Sequence, residues 1–83
     1  MAYRISFKKS VSRDLKKLDK SEANKILERT VQELPLNADA APVLKGKFKG
    51  LRKYMIGNYR VIFTIIEESI VITRIRHRKD AYR

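Results

Sequence analysis

The sequence has no cysteine and no tryptophan, and among its 83 residues are only one histidine, two prolines and three glycines. Without cysteine, disulfides and cysteine-ligated zinc sites are excluded. Acidic residues are also few, since nine Asp and Glu stand against twenty Lys and Arg. No apolar run approaches the roughly 18 to 20 residues that a membrane-spanning helix needs. We therefore expect a protein without cofactor or membrane span, whose chemistry depends on basic side chains.

Excess positive charge is the main global feature of the chain. The formal net charge of +11 favours polyanionic partners, namely nucleic acid, acidic lipid or acidic protein. A hydrophobic fraction of 43% is sufficient for a globular fold, and a chain of this length has room for one core. The N-terminus lacks the apolar stretch of a secretory signal peptide, because Arg4 interrupts it. We expect a single domain, residues 1–83, in the cytoplasm.

The N-terminal part of the chain predicts one strand and two helices. Residues 2–7, AYRISF, alternate apolar and polar side chains, which is the period of a strand. Apolar residues then recur every three or four positions over residues 7–18, with basic residues on the other faces, as in an amphipathic helix. Asp19 can cap a second helix, with the glutamate three residues on completing a capping box, and Pro35 should end that helix. Its expected buried residues are Ala23, Ile26, Leu27, Val31 and Leu34.

The remaining residues predict a connection followed by an antiparallel meander. Residues 35–50 contain both prolines and two of the three glycines, so we interpret them as a connection. Beyond it the hydrophobic period returns to two, and Gly57-Asn58 suits a two-residue hairpin turn. Strands are expected at about 51–56, 59–66 and 70–76. The predicted fold is α+β, with an N-terminal strand, a two-helix hairpin and a three-strand meander in two layers.

The two-residue turn determines which side chains share a side of the sheet. In this register Arg60 lies opposite to the predicted core, together with Lys53 and Met55. If the next corner also has two residues, three residues of the last strand continue this side: Thr73, Ile75 and His77. Apolar side chains here would be a poor surface to leave in water, so we expect the C-terminal tail or a partner to cover them. They are Ile62, Ile66, Val71 and Ile75.

Conventional catalytic sets are scarce in the sequence. There is no H-x-x-x-H motif and no glycine-rich phosphate loop, which disfavours a hydrolase with a metal or a covalent nucleophile. RNA cleavage by the substrate's own 2′-hydroxyl needs less, because the protein only orients the RNA, moves protons and stabilises the charge of the phosphorane. Side chains suited to these tasks are Lys53, Arg60, His77, Arg78 and Tyr82. The same residue types occur in any basic RNA-binding domain, so composition leaves both functions open.

Three segments resemble one known family. The stretches LKGKFKGLRKYMIGNYRVIF, IVITRIR and HRKDAY are similar to the RelE/ParE toxin superfamily. The H-R-x-x-x-Y ending most resembles the RelE-type mRNA interferases of type II toxin–antitoxin systems. The resemblance extends over nearly the whole chain. It implies a RelE-like microbial RNase fold and a toxin that enters the ribosomal A site, cuts mRNA without a metal, and is neutralised by an antitoxin.

The resemblance also implies roles for individual residues. Arg60 matches the arginine that binds the scissile phosphate, and Arg78 the one that stabilises the phosphorane or helps to protonate the leaving oxygen. Tyr82 matches a tyrosine implicated in proton transfer and base stacking. A further basic catalytic position matches Arg52 or Lys53, and the strand register favours Lys53. The other residues expected to bind RNA are Lys45, Lys47, Lys49, Arg52, Arg76 and His77.

Two alternatives share the same fold. Met55 stands where many members have a second arginine, which favours a ParE-like gyrase-inhibiting toxin. The other alternative is a catalytically inactive nucleic-acid-binding relative. For the interferase we expect three partners: the ribosome, mRNA and a RelB-like antitoxin. The antitoxin segment should be acidic and partly disordered, because a domain of charge +11 attracts an acidic chain over long range.

Overall fold

The computed structural model describes residues 3–44, 46 and 50–79. The order along the chain is strand, helix, helix, strand, strand, strand, as predicted. The elements are β1 (Arg4–Phe7), α1 (Lys9–Lys16), α2 (Lys20–Asn37), a 3₁₀ turn (Ala38–Ala40), β2 (Arg52–Ile56), β3 (Tyr59–Ile66) and β4 (Ser69–His77). Within the described residues, no helix is long and apolar enough to cross a membrane.

The four strands form one sheet in the order β1-β4-β3-β2. β1 is parallel to β4, and the other neighbours are antiparallel. A parallel pair requires a long crossover, and here the helices, β2 and β3 all come between the two strands in the chain. Helices and sheet share one core, formed by Val11, Ile26, Leu34, Ala38, Ala41, Ile56, Val61, Phe63, Ile70, Ile72 and Ile75. The predicted α+β fold is confirmed.

The buried stripe of α2 advances by four residues at a time. Ile26, Thr30 and Leu34 are buried, and Ala38 continues the stripe into the 3₁₀ turn. Thr30 is tolerated there because its hydroxyl donates to the carbonyl of Ile26, 2.7 Å away. The prediction that Val31 is buried is wrong, since Val31 is 53% exposed. A stripe with this spacing leaves position 31 on the flank of the helix.

Both ends of α2 differ from the predicted caps. Asp19 precedes the helix as expected, but its side chain makes no capping hydrogen bond. The backbone carbonyl of Asp19 instead accepts the N–H of Ala23 at 2.9 Å. The predicted end at Pro35 is wrong, because Pro35 lies inside a helix that continues to Asn37. Proline removes a single backbone donor in this last turn, and burial of the following Ala38 keeps the turn packed against the core.

The β2–β3 hairpin has the predicted register. Ile56 pairs with Tyr59, and Met55 pairs with Arg60. Gly57, between them, has a φ of +59°, a conformation that glycine adopts without the cost of a Cβ atom. Arg60 therefore lies on the side of the sheet opposite to Tyr59 and the core.

The β3–β4 hairpin starts regularly but changes register halfway along. Its turn has two residues, and regular pairing runs as far as Phe63 and Ile72. At the next position Ile62 pairs with Arg74 and not with Thr73. β4 thus carries one extra residue at this point, which is a β-bulge.

Because of the bulge, each later residue of β4 lies on the opposite side of the sheet from the one that a regular strand would give it. Val61 pairs with Ile75, and Tyr59 pairs with His77, so both β4 residues lie on the side covered by the helices. The prediction that they lie opposite to the core is wrong, and Thr73 occupies the bulge. Alternation along a regular strand predicts sides correctly only until a residue is inserted, after which every assignment inverts.

The side of the sheet facing away from the core is also less apolar than predicted. Ile75 belongs to the core with 4% exposure, and Ile62 is only 5% exposed. Val71 is half-buried, whereas Ile66 is 56% exposed. Of the four residues expected to form a bare apolar surface, Ile66 alone is largely accessible.

Candidate functional site

Long side chains gather on the open side, defined here as the side of β2, β3 and β4 opposite to the core. Arg60 is central, because it pairs with Met55 on β2 and with Arg76 on β4. Directly opposite residues of antiparallel strands have Cβ atoms about 4.5 to 5.5 Å apart on the same side. Lys53 is two residues from Met55 and therefore shares this side. The structure thus brings three predicted site residues, Lys53, Arg60 and Arg76, to one surface.

Arg60 is partly sunk into the open side. Its Nε and Nη1 atoms are buried, and the residue as a whole is half-buried. Lys53 and Arg76 are also half-buried, and Met55 is 40% exposed. A guanidinium held in this way has fewer orientations than one at the end of a solvated side chain. Less ordering is then required when an anion binds, which favours a defined site over diffuse attraction.

The end of β4 places Arg78 near the first hairpin turn. Its backbone N–H donates to the carbonyl of Asn58, 2.8 Å away, and its side chain is exposed. Tyr82 lies outside the described residues, so its proton-transfer role stays a prediction. The same holds for three predicted RNA-binding residues: Lys45, Lys47 and Lys49.

His77 lies in a cleft on the helix-covered side, separated from Arg60 by the sheet. Its ring meets that of Tyr59 edge-on, with centroids 5.3 Å apart and planes at 81°. Its Nδ1 atom accepts the backbone N–H of Lys79 at 3.2 Å. The cleft has a volume of about 520 Å³, and Arg76 also lines it, so Arg76 borders both this cleft and the open side. The structure therefore does not bring His77 to the predicted site.

Arg52 is engaged in a structural contact on the helix-covered side. It pairs with the buried Phe63, and its Nη1 atom donates to the carbonyls of Asp39 and Ala41 at 3.2 and 3.1 Å. These bonds tie the 3₁₀ turn and its following residue to β2. Of the two basic residues that matched the same position in the resemblance, Lys53 is the one on the open side.

The contact between Asp14 and the bulge was not predicted from the sequence. The Asp14 carboxylate accepts two hydrogen bonds from Arg74, both 2.9 Å, and one from the backbone N–H of Ile75 at 3.0 Å. Burial alone would raise the pKa of Asp14, but the bonds from Arg74 and Ile75 outweigh it and hold this pKa below its ordinary value. Its position in the sequence was the one available sign that Asp14 is buried. Asp14 lies three residues after Val11 and four before Leu18, on the apolar face of a basic helix.

A second polar contact joins α2 to β2. The Tyr54 hydroxyl donates to Oε1 of Glu33 at 2.7 Å, and Nε of Arg29 donates to Oε2 at 2.7 Å. The bond from Arg29, followed by that from Tyr54, lowers the pKa of Glu33, and the bond to Glu33 raises the pKa of Tyr54. This contact braces the helix-covered side and involves none of the open-side residues.

The composition of the open side favours an anionic ligand. Among the described residues, Lys53 and Arg76 are the charged neighbours that the strand pairing gives Arg60, and both are cations. Guanidinium groups bind phosphate and carboxylate through paired hydrogen bonds. Across residues 3–44, 46 and 50–79, no three His, Cys, Asp or Glu side chains are grouped so that they could hold a metal ion.

Comparisons with known proteins show one family and one fold. The family model described as "ParE toxin of type II toxin-antitoxin system, parDE" matches residues 5–82. The toxin–antitoxin complex RelBE2 from Mycobacterium tuberculosis is similar at 24% identity and a TM-score of 0.84, covering 93% of this chain and 99% of that chain. The archaeal RelE–RelB complex from Pyrococcus horikoshii shares 27% identity at a TM-score of 0.66, covering 98% and 100%.

A ParE-type relative has the same fold. The chromosomal ParDE system from P. aeruginosa shares 17% identity at a TM-score of 0.69, and the match covers 92% of this chain and 96% of that chain. A search of curated proteins gave no match. Because structures of both the RelE and the ParE type share this fold, the fold does not distinguish between their activities.

Proposed function

The chain belongs to the ParE toxin family of type II toxin–antitoxin systems, and we propose that it acts as a metal-independent endoribonuclease that cleaves mRNA on the ribosome. The RelE/ParE resemblance predicted from the sequence is confirmed, and the protein is a toxin of that superfamily. Since relatives of both types share the fold, the choice of activity rests on the residues of the open side.

The observation that carries the proposal is the pairing of Arg60 with Arg76. Like charges directly opposite each other in a sheet are destabilising, so a ladder that places two guanidinium groups together favours the binding of an anion there. Both groups are half-buried, and Lys53 adds a third positive charge on the neighbouring strand. A phosphodiester offers two non-bridging oxygens, which the planar fork of an arginine guanidinium can bind through two parallel hydrogen bonds.

The proposed reaction uses the nucleophile that RNA supplies. The 2′-oxygen attacks the adjacent phosphorus, and the bond from phosphorus to the 5′-oxygen breaks, leaving a 2′,3′-cyclic phosphate and a 5′-hydroxyl. The phosphorane between these steps carries one more negative charge than the diester. In the proposed mechanism, Arg60 and Arg76 stabilise that charge, and Lys53 contributes a further positive charge.

Two protons also have to move in this reaction. The 2′-hydroxyl loses one as it attacks, and the departing 5′-oxygen gains one. As the resemblance implies, Arg78 and Tyr82 are the candidates for these transfers. Arg78 follows β4 at the same end of the sheet as Arg60, which supports its part in the site.

We further propose a RelB-like antitoxin with an acidic segment as the partner. The relatives from M. tuberculosis and P. horikoshii were solved as toxin–antitoxin complexes. A net charge of +11 attracts an acidic segment as well as ribosomal RNA, and speeds association with either at low salt. An acidic segment lying across the open side would compete with RNA for Arg60 and Arg76, so that binding and inhibition would coincide.

Gyrase inhibition is the second candidate. It is favoured by the description of the matching family model and by the similarity to the P. aeruginosa ParDE system. Met55 also stands opposite Arg60, where many RelE-type members have a second arginine. This candidate predicts toxicity that does not depend on phosphate binding by Arg60.

Primer extension on mRNA, run beside a gyrase supercoiling assay on the same preparation, tests both candidates. We expect cuts in mRNA only when ribosomes are present. Arg60→Ala should lower the cleavage rate by about 100- to 1000-fold, the usual effect of losing one charge-stabilising donor. Growth should tolerate the double variant Arg60→Ala with Arg78→Ala.

The matched control is Arg13→Ala, which removes the same charge from an exposed position on α1 and should cleave like wild type. Inhibition of gyrase without mRNA cleavage, unchanged in the double variant, would establish the second candidate and reject the first.

A further inference from the structure

The bulge in β4 interrupts the regular ladder, and side chains of α1 bind the backbone around the extra residue. The hydroxyl of Ser10 donates to the carbonyl of Thr73 at 2.6 Å. One carboxylate oxygen of Asp14 accepts the N–H of Ile75 at 3.0 Å. Across the bulge, the Thr73 hydroxyl donates to the carbonyl of Ile62 at 3.1 Å. Buried backbone groups need such partners, so α1 stabilises the irregularity in the strand.

Asp14 makes the larger share of these contacts. Its side chain is 6% exposed and receives two guanidinium hydrogen bonds from Arg74 in addition to the bond from Ile75. Arg74 is the residue that pairs with Ile62 at the shifted position. A carboxylate that binds both the side chain of residue 74 and the backbone of residue 75 fixes where the extra residue lies in the strand.

The register of β4 decides which residue stands opposite Arg60. With the bulge in place, that residue is Arg76. If regular pairing continued from Phe63 and Ile72, the residue opposite Arg60 would be Ile75. Arg76 would then lie on the helix-covered side, since a slip of one residue inverts every side chain that follows.

We propose that Asp14 is a positioning residue of the toxic site, which holds the bulge between Ile72 and Ile75 and so brings Arg76 opposite Arg60. Asp14 lies in the cleft on the helix-covered side, which Arg76 also lines, and its proposed effect on the Arg60–Arg76 pair is exerted through the register of β4. The inference rests on the proposed function for its activity measurement only, because the register of β4 can be measured in the absence of any activity.

The register is measured by cross-strand NOEs in the 83-residue toxin, prepared in the Arg78→Ala background to permit expression. We expect contacts between Arg60 and Arg76 in this background. In Asp14→Ala they should disappear or give way to contacts between Arg60 and Ile75, while the pair Phe63–Ile72 is retained. Glu33→Ala is the matched control, because it breaks a comparable helix-to-strand contact and leaves the bulge untouched, so its Arg60–Arg76 contacts should persist.

Deleting Thr73 provides a rescue that a merely structural role of Asp14 would not allow. The deletion removes the extra residue, so that regular pairing places Arg74 opposite Ile62 and keeps Arg76 opposite Arg60. Asp14→Ala should lower kcat for ribosome-dependent cleavage by about 100-fold, as expected when a charge-stabilising group is misplaced, with little change in KM. Adding the Thr73 deletion to Asp14→Ala should restore most of kcat.

Loss of the Arg60–Arg76 contacts in Asp14→Ala, with their return on deletion of Thr73, supports the proposal. Persistence of those contacts in Asp14→Ala overturns it, whatever the activity. If Asp14→Ala does not fold, the double variant decides, since a folded protein with Arg76 opposite Arg60 supports the proposal and an unfolded one contradicts it. A toxin that cuts no mRNA but shows these register changes would refute the proposed function alone.

Discussion

The two hairpins of the sheet share the strand β3, but their registers have different origins. The Gly57-Asn58 turn is sufficient to align the whole of β2 with β3. The second turn aligns only the first part of β4, and beyond it the register depends on Asp14, which is 60 residues away from Arg74 in the chain. The local turn therefore determines that Met55 lies next to Arg60, whereas a tertiary contact determines that Arg76 does. The β2 part of the candidate site is specified by a nearby turn, and the β4 part forms only when α1 packs against the sheet.

Of the variants that test the difference between the two hairpins, the largest change in the free energy of unfolding is expected on removing the charge of Asp14. Asp14→Asn keeps the shape of the side chain but weakens its bonds to Arg74 and Ile75, which should lower the free energy of unfolding at pH 7 by about 2 kcal/mol. Because the folded-state pKa of Asp14 is below its ordinary value, the carboxylate stabilises the fold above the ordinary Asp pKa of about 4, and this is lost as pH falls through the folded-state pKa.

Chemical denaturation at pH 7, 5 and 3 measures this difference. Wild type and Asp14→Asn should differ fully at pH 7 and pH 5, and the difference should be smaller at pH 3, which lies below the ordinary Asp pKa. Glu28→Gln, on the exposed face of α2, is the control and should lie within about 0.5 kcal/mol of wild type at pH 7. A difference that stayed constant down to pH 3 would show that the charge of Asp14 does not stabilise the bulge.

The sequence predicted the side of the sheet correctly for residues whose position depends on a nearby turn. The turn at Gly57 and the alternation in β3 were enough to place Arg60 and Lys53 on the open side. It failed for Ile75 and His77, because an inserted residue in β4 has no signature within the strand itself. Its stabilising partner, Asp14, was visible only as an acid on the apolar face of a helix, and the residue it would contact could not be named.

α2 shows the same limit on a smaller scale. Pro35 is a strong local signal for a helix end, yet the helix continues to Asn37 because the residues around it pack on the core. Val31 fits an apolar stripe at helical spacing as well as Thr30 fits a polar face, and the structure buries Thr30 instead. Packing geometry decided between two phases of the helix that hydrophobic periodicity could not separate.

An intermediate effect is expected from the local turn of the β2–β3 hairpin. Gly57 has a φ of +59°, and a Cβ atom added there would meet nothing within 4 Å, so Gly57→Ala is costly through the backbone alone. We expect a loss of about 1 kcal/mol in the free energy of unfolding, with the Met55–Arg60 pairing retained in NOE spectra. Asn58→Ala, at the turn position without a positive φ, should lose less. Loss of the Met55–Arg60 pairing in the Gly57 variant would show that this register too depends on more than its turn.

The smallest change in the free energy of unfolding is expected from the Glu67-Glu68 turn between β3 and β4. Glu67 has a φ of +55°, although it is neither glycine nor asparagine, and its side chain is exposed. Because asparagine tolerates this conformation better than glutamate does, Glu67→Asn should raise the free energy of unfolding by about 0.5 kcal/mol. Glu68→Asn makes the same change of charge without a positive φ, and should give no such gain. In both variants we expect Arg76 to stay opposite Arg60, since the bulge separates that pair from the turn. A change in the Arg60–Arg76 contacts of Glu67→Asn would mean that the turn controls the whole of β4, and the contrast between the two hairpins would no longer hold.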